Sequence, residues 1–154
     1  MNKEPYTLNM DIFNSKKTKG IKSHIANLVA IAQSDGNFSV AEKRLIFEIG
    51  QKNGLTISKI KDIIKSTEPI EFKVPKNDSV RFDRLYDLVA MVLADGERGE
   101  EEMDACMDMA EKLGFRKAIS GVLVTKIEKS LLQGIDREQI KAESADFLNY
   151  EEAE

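Results

Sequence analysis

The sequence "QSDGNFSVAEK" at residues 33–43 returns sixty residues later as "LADGERGEEEM" at 93–103. Each stretch sets Asp-Gly after an apolar run at helical spacing and places a Glu seven residues beyond the Asp. With the chain shifted by sixty, residues 28–55 align with 88–115 without a gap. Eight of those twenty-eight pairs are identical, among them Leu28/Leu88, Asp35/Asp95, Gly36/Gly96, Glu42/Glu102 and Gly54/Gly114. Ordinary residue frequencies would give roughly one or two. The chain is therefore read as an internal duplication.

The period around each corner is helical. Ile21, Ile25, Leu28, Val29 and Ala32 form one apolar stripe, and Phe82, Leu85, Leu88, Val89 and Val92 form its counterpart. A second helix follows each Asp-Gly and ends at Gly54-Leu55 or Gly114-Phe115. Gly there supplies a left-handed cap, and the apolar residue after it folds back on the last turn. The predicted third helices are 58–66, capped by Ser58, and about 116–132. A last helix starts at Asp136, with Gln139 completing a capping box.

These elements predict an all-α, pseudo-two-fold bundle of about seven helices, with a four-helix core from the duplicated helix–corner–helix unit. Residues 1–20 read as a lead-in, with Lys16, Lys17, Lys19 and Lys22 clustered before the first helix. A single domain spans 21–148: repeat 1 at about 21–66, a connector at 67–79, repeat 2 at about 80–133 and a helix at about 136–148. Residues 149–154 read as a frayed tail. The two prolines of "TEPIEFKVPKND" rule out helix throughout the connector. Its Ile70, Phe72 and Val74 are expected to press onto the bundle.

Composition limits the function classes. A chain of 154 residues with 42 % apolar and 32 % charged residues can bury a core. No apolar run is long enough for a transmembrane segment, and the first twenty residues lack a signal-peptide stretch. One cysteine, Cys106, suits a reducing compartment, so the expected location is cytoplasmic. The net charge is −4, and eight acids fall between Asp95 and Glu111 against Arg98 alone. That face repels phosphates, so nucleic acid is not an expected partner. The lysine cluster reads as a solvated helix lead-in, with an acidic partner or anionic lipid as the competing use. Met103, Met107 and Met109 suit core filling or an adaptable partner groove.

The segments "SDGNFSVAE" and "ADGERGEEE", each followed by a helix closing at "NGL" or "LGF", resemble the TerB (tellurium-resistance B) family. That family includes the N-terminal region of some membrane-anchored J-domain co-chaperones. The resemblance spans about residues 21–133. It implies an all-helical, non-enzymatic binding module linked to stress response and tellurite-resistance systems. It also implies binding of a metal ion through acidic loop residues, which here are Asp35, Glu42, Asp95 and Glu102, and an all-oxygen set of that kind suits a divalent cation such as Ca²⁺ or Mg²⁺. Glu97, Glu100, Glu101, Asp104 and Asp108 would offer an acidic surface to a basic protein or a stress-system component.

The residues themselves leave two readings of the corners open. Ser39 and Glu42 satisfy the capping-box pattern, and Asp35 and Asp95 can cap loop amides, which makes all four acids structural parts of a protein-interaction scaffold. Against this, an Asp just after a helix end faces the negative end of the dipole and invites a cation. Were the two turns adjacent, four carboxylates would pool. An EF-hand is excluded: its sixth and twelfth loop positions hold Val40 and Ile46 in one copy, and Glu100 and Cys106 in the other. His24, the sole histidine, reads as a surface residue near a helix start, and Cys106 as a buried thiol. No nucleophile elbow, phosphate loop or dinucleotide glycine pattern occurs, so no catalytic residue is expected.

Overall fold

Pro5 opens the first helix, a position where its missing N–H costs nothing and its fixed φ is already helical. The structure is a computed structural model. It describes the backbone of residues 5–34, 36–96 and 99–153, and the side chains of those from 16 to 146. Seven helices follow in order: α1 Pro5–Ala32, α2 Val40–Lys52, α3 Ile57–Lys65, α4 Asp78–Val92, α5 Glu100–Lys112, α6 Lys117–Leu132 and α7 Arg137–Ala153. No strand occurs among the described residues.

The lysine cluster expected ahead of the first helix lies inside it. Tyr6, Met10 and Phe13 continue the helical spacing toward the N-terminus, and no proline interrupts residues 6–32. Two other boundaries and one capping bond also differ. Thr56, not Ser58, caps α3, its hydroxyl accepting from the Lys59 N–H at 3.2 Å. Asp136 does cap α7, accepting from Gln139 N–H at 2.9 Å. The Gln139 side chain, however, donates to Glu143 rather than closing a box. The last helix also continues past 148 to Ala153.

The duplication is visible in the packing. The equivalent helices α1 and α4 lie against each other. Each carries its own second and third helix, α2 and α3 on α1, α5 and α6 on α4. Each also reaches across to the other copy's second helix, α1 to α5 and α4 to α2, whereas α2 and α5 do not touch among the described residues. Fully buried Ile25 and Leu28 of α1 and Phe82, Leu85 and Leu88 of α4 form the centre. Ile46 and its copy-equivalent Cys106 are both closed from solvent. Burying a large aliphatic or aromatic side chain stabilises by about 1.5–3 kcal/mol, so this seam carries much of the fold.

The helix ends obey local chemistry. Gly54 and Gly114 take φ of 92° and 106°, where an L side chain is strained. The amides of Leu55 and Phe115 then bond back to Gly50 and Ala110 carbonyls at 2.9 and 3.1 Å, burying both apolar side chains. In the connector Ile70 and Phe72 pack on the core as expected, and the Lys73 N–H donates to Ser23 Oγ at 2.9 Å. Val74 does not join them and is 47 % exposed.

Candidate functional site

The first Asp-Gly corner is built from short-range bonds. After α1, Ser34 Oγ donates to the Ile31 carbonyl at 2.7 Å, and Gly36 turns at φ 78°. Ser39 then closes a complete capping box: Glu42 N–H donates to Ser39 Oγ at 3.1 Å, and Ser39 N–H donates to Glu42 Oε1 at 2.8 Å. The price of that arrangement is a carboxylate only 1 % exposed. Its other oxygen, Oε2, is closed from solvent and has no hydrogen-bond donor. Asp35 lies outside the described residues.

The second corner reaches a similar shape by other means. Gly96 turns at φ 81°. Gly99 stands where the first copy has Ser39 and offers no side-chain cap. Instead the buried Glu102 carboxylate curls over the Gly99 α-carbon, so that a Cβ there would sit 2.7 Å from Oε1. Asp95 is exposed in the turn. Glu100, Glu101, Asp104 and Asp108 are exposed along α5, and Glu97 lies outside the described residues. Glu100, Glu101 and Glu102 fill the first turn of α5, where the helix dipole stabilises negative charge. Part of the acidic cluster thus has a local reason.

Among the described residues, no three His, Cys, Asp or Glu side chains gather as a ligand set for a metal ion. Glu42 lies on α2 and Glu102 on α5, two helices with no close backbone approach to each other.

A cationic concave feature lies elsewhere. A cleft of about 1050 Å³ opens between α1, the end of α2, the connector, α4 and the start of α7. Lys16, Lys17 and Lys19 line it from α1, Lys52 from α2, and Lys73 and Lys76 from the connector. Arg84 and Arg137 add two guanidinium groups, against Glu48, Asp83 and Asp87 as the acids. Two of those acids are already engaged. Arg137 Nη2 donates to Asp87 Oδ1 at 2.6 Å, and Lys141 Nζ lies 2.9 Å from Asp83 Oδ1. Burial pulls the Arg84 pKa below its ordinary value, with Asp87 and Asp83 opposing. Ile21, Leu45, Ile49, Val74 and Val80 supply aliphatic wall.

No protein-family model, no curated protein and no solved structure matches this chain.

Behind the cleft wall, His24 is not the surface residue the sequence suggested. It is 3 % exposed, and its Nε2 lies 2.9 Å from Asp87 Oδ2. The carboxylate accepts, so Nε2 carries the proton. Burial is the largest influence on His24 and lowers its pKa; Asp87 opposes that, while Arg84 and Arg137 add to it. Cys106 is buried, as expected, and its thiol is pushed up to about 12, chiefly by burial. The lysines at 16–19 were the one sequence signal of the cleft, and their assignment to a lead-in hid it.

Proposed function

We propose that this chain is a non-enzymatic binding module of the TerB type, with its first Asp-Gly corner as a divalent-cation site. The supporting observation is Glu42 Oε2, a solvent-excluded carboxylate oxygen with no hydrogen-bond donor. A buried acceptor left bare costs about 1–3 kcal/mol, more when charged, and a hard cation would offset that cost. Glu42 and Asp35 would hold the ion, with loop carbonyls and water completing an all-oxygen set suited to Ca²⁺ or Mg²⁺. No imidazole is on hand at the corner, since His24 is committed to Asp87. So few protein ligands imply weak, millimolar binding. Glu102, equally enclosed beside Gly99, and Asp95 would give the second corner the same role. The non-enzymatic reading is supported by His24 and Cys106, both shut away from any substrate. The link to stress or tellurite-resistance systems rests on the likeness of the two corner motifs.

Amide NMR during Ca²⁺ and Mg²⁺ titration tests the cation site. Saturable shifts confined to residues 36–42 and 96–102, and lost from the first set in Glu42→Gln, support it. Absence of such shifts at millimolar ion sinks it.

A second reading is favoured by the complete capping box at Ser39–Glu42. In it the acids are purely structural, and exposed Glu100, Glu101, Asp104 and Asp108 meet a basic protein surface. Glu42→Gln would then lower thermal stability equally with and without the ion.

A further inference from the structure

The cleft between α1 and the connector is unlike the rest of this acidic chain. Its cations come from five separate elements, whereas the net charge of the whole is −4. Lys73 is paired with Glu71, and Arg137 with Asp87, and the lysines of α1, Lys52 and Lys76 line the cleft together with the acid Glu48. Cations gathered in a concavity focus their field on one small volume, so the site selects anions. The volume of about 1050 Å³ stands at the top of the roughly 300–1,000 Å³ range of small-molecule sites.

The wall chemistry narrows the anion. Several separate ammonium groups suit a tetrahedral, doubly charged head better than a planar carboxylate, which a single guanidinium fork would grip. A phosphate monoester carries about −1.5 to −2 at neutral pH. The body of the ligand meets Ile21, Leu45, Ile49, Val74 and Val80, which are all aliphatic. Among the described residues the only aromatic in the lining is Tyr86, and the Arg137 guanidinium lies over its ring at 4.4 Å. Arg137 thus occupies one face of that ring, whereas sites for single-stranded nucleic acid and nucleotides are built on open aromatic platforms. We infer that this cleft binds a phosphate carried on an aliphatic chain, with the lysines of α1, α2 and the connector on the head and the aliphatic wall on the chain. The inference is independent of the cation site, because none of the corner acids lines the cleft.

The test uses the whole chain, isothermal titration calorimetry and dodecyl phosphate below its micelle concentration, at about 0.15 M salt so that exposed charges are screened. Inorganic phosphate and dodecyl maltoside supply the head without the chain and the chain without the charge. Each methylene removed from water tightens binding roughly fourfold, so dodecyl phosphate should bind at least a hundredfold more tightly than inorganic phosphate. The exposed-residue variant Lys17→Glu/Lys76→Glu should weaken it tenfold or more. Val74→Asn should weaken it several-fold while leaving inorganic phosphate unchanged. Circular dichroism melts confirm that both variants fold.

Vesicles of phosphatidic acid in phosphatidylcholine separate the sources. Monomer binding without vesicle binding assigns a free amphiphile, and binding of both, each lost in Lys17→Glu/Lys76→Glu, assigns a headgroup with its chain. Vesicle binding alone overturns the cleft as a ligand site. So does dodecyl phosphate binding no tighter than inorganic phosphate, an unchanged affinity in the lysine variant, or a poly-glutamate peptide binding the same lysines as tightly.

Discussion

His24 Nε2 meets Asp87 Oδ2 at 2.9 Å across the seam between the two copies, joining α1 to α4 where both side chains are almost wholly buried. The sixty-residue shift maps His24 onto Arg84 and Asp87 onto Asn27, so the pair has no duplicate. It is a polar cross-link unique to one side of a pseudo-symmetric core. Because burial lowers the His24 pKa, the folded state holds the neutral ring and the unfolded state binds the extra proton first. Stability is therefore complete above the unfolded value near 6.5 and is lost as pH falls through it toward the folded value. The melting temperature of the wild type should drop from about pH 7.5 to about pH 5.5, above the range where ordinary carboxylates titrate. His24→Gln should show a flatter profile over that window, with lower stability at its upper end by about 1–3 kcal/mol. Equal slopes for the two proteins would refute the assignment.

Asp87 is the more costly member to lose. It is 6 % exposed and accepts from His24 on one oxygen and from Arg137 on the other, tying α1, α4 and α7 together. Asp87→Ala leaves a buried imidazole N–H without an acceptor and should cost about 3 kcal/mol in urea unfolding. Asp87→Asn keeps an acceptor and should cost about half of that. Arg137 is a third exposed on its side chain, so its pair is screened, and Arg137→Ala should cost no more than about 1 kcal/mol.

What could be read along the chain, and what could not, divides by range. Corners, capping box and glycine helix ends were legible because their chemistry closes within about five residues, as in Ser39–Glu42 and Gly50–Leu55. The capping alternative at the second corner was not, because a carboxylate curling over Gly99 leaves no residue-type signature. His24 was misplaced for a traceable reason. With Ile21, Ile25 and Leu28 it shares i, i+3, i+4 and i+7 positions on one helical face, which already placed it on the apolar stripe. Taking the helix to start at 21 put it at an end instead of in the interior. Asp87 stands 63 residues from His24, and the cleft draws on five elements, so neither contact could be inferred without the fold.

Cys106 should behave as a core atom. Its thiol is raised to about 12 by burial, with Glu102 and Glu128 adding to the shift, so almost no thiolate exists at neutral pH. Labelling of the native protein with a disulfide reagent at about pH 8 should be negligible and should track the unfolding equilibrium as urea is added. Fast stoichiometric labelling without denaturant would show the thiol to be open.

Two glycines in helices make opposite demands, and a pair of alanine substitutions separates packing from propensity. Gly121 in α6 has open space where a Cβ would go. Gly121→Ala should stabilise by about 0.5–1 kcal/mol, because it removes unfolded-state freedom and adds nothing that collides. Gly50 in α2 gains the same propensity on paper, yet a Cβ there would lie 2.6 Å from Ile60 Cδ1 and 2.9 Å from its Cγ1. Ile60 is fully buried in α3 and its branched side chain has little room to turn. Gly50→Ala should therefore destabilise by about 1–3 kcal/mol despite the better helix former, and the loss should shrink in Gly50→Ala/Ile60→Val, which removes the nearest colliding methyl. Thermal or urea unfolding of the three variants measures this directly. A stabilised Gly50→Ala would mean that α2 and α3 do not approach as closely as the packing of Gly50 on Ile60 requires.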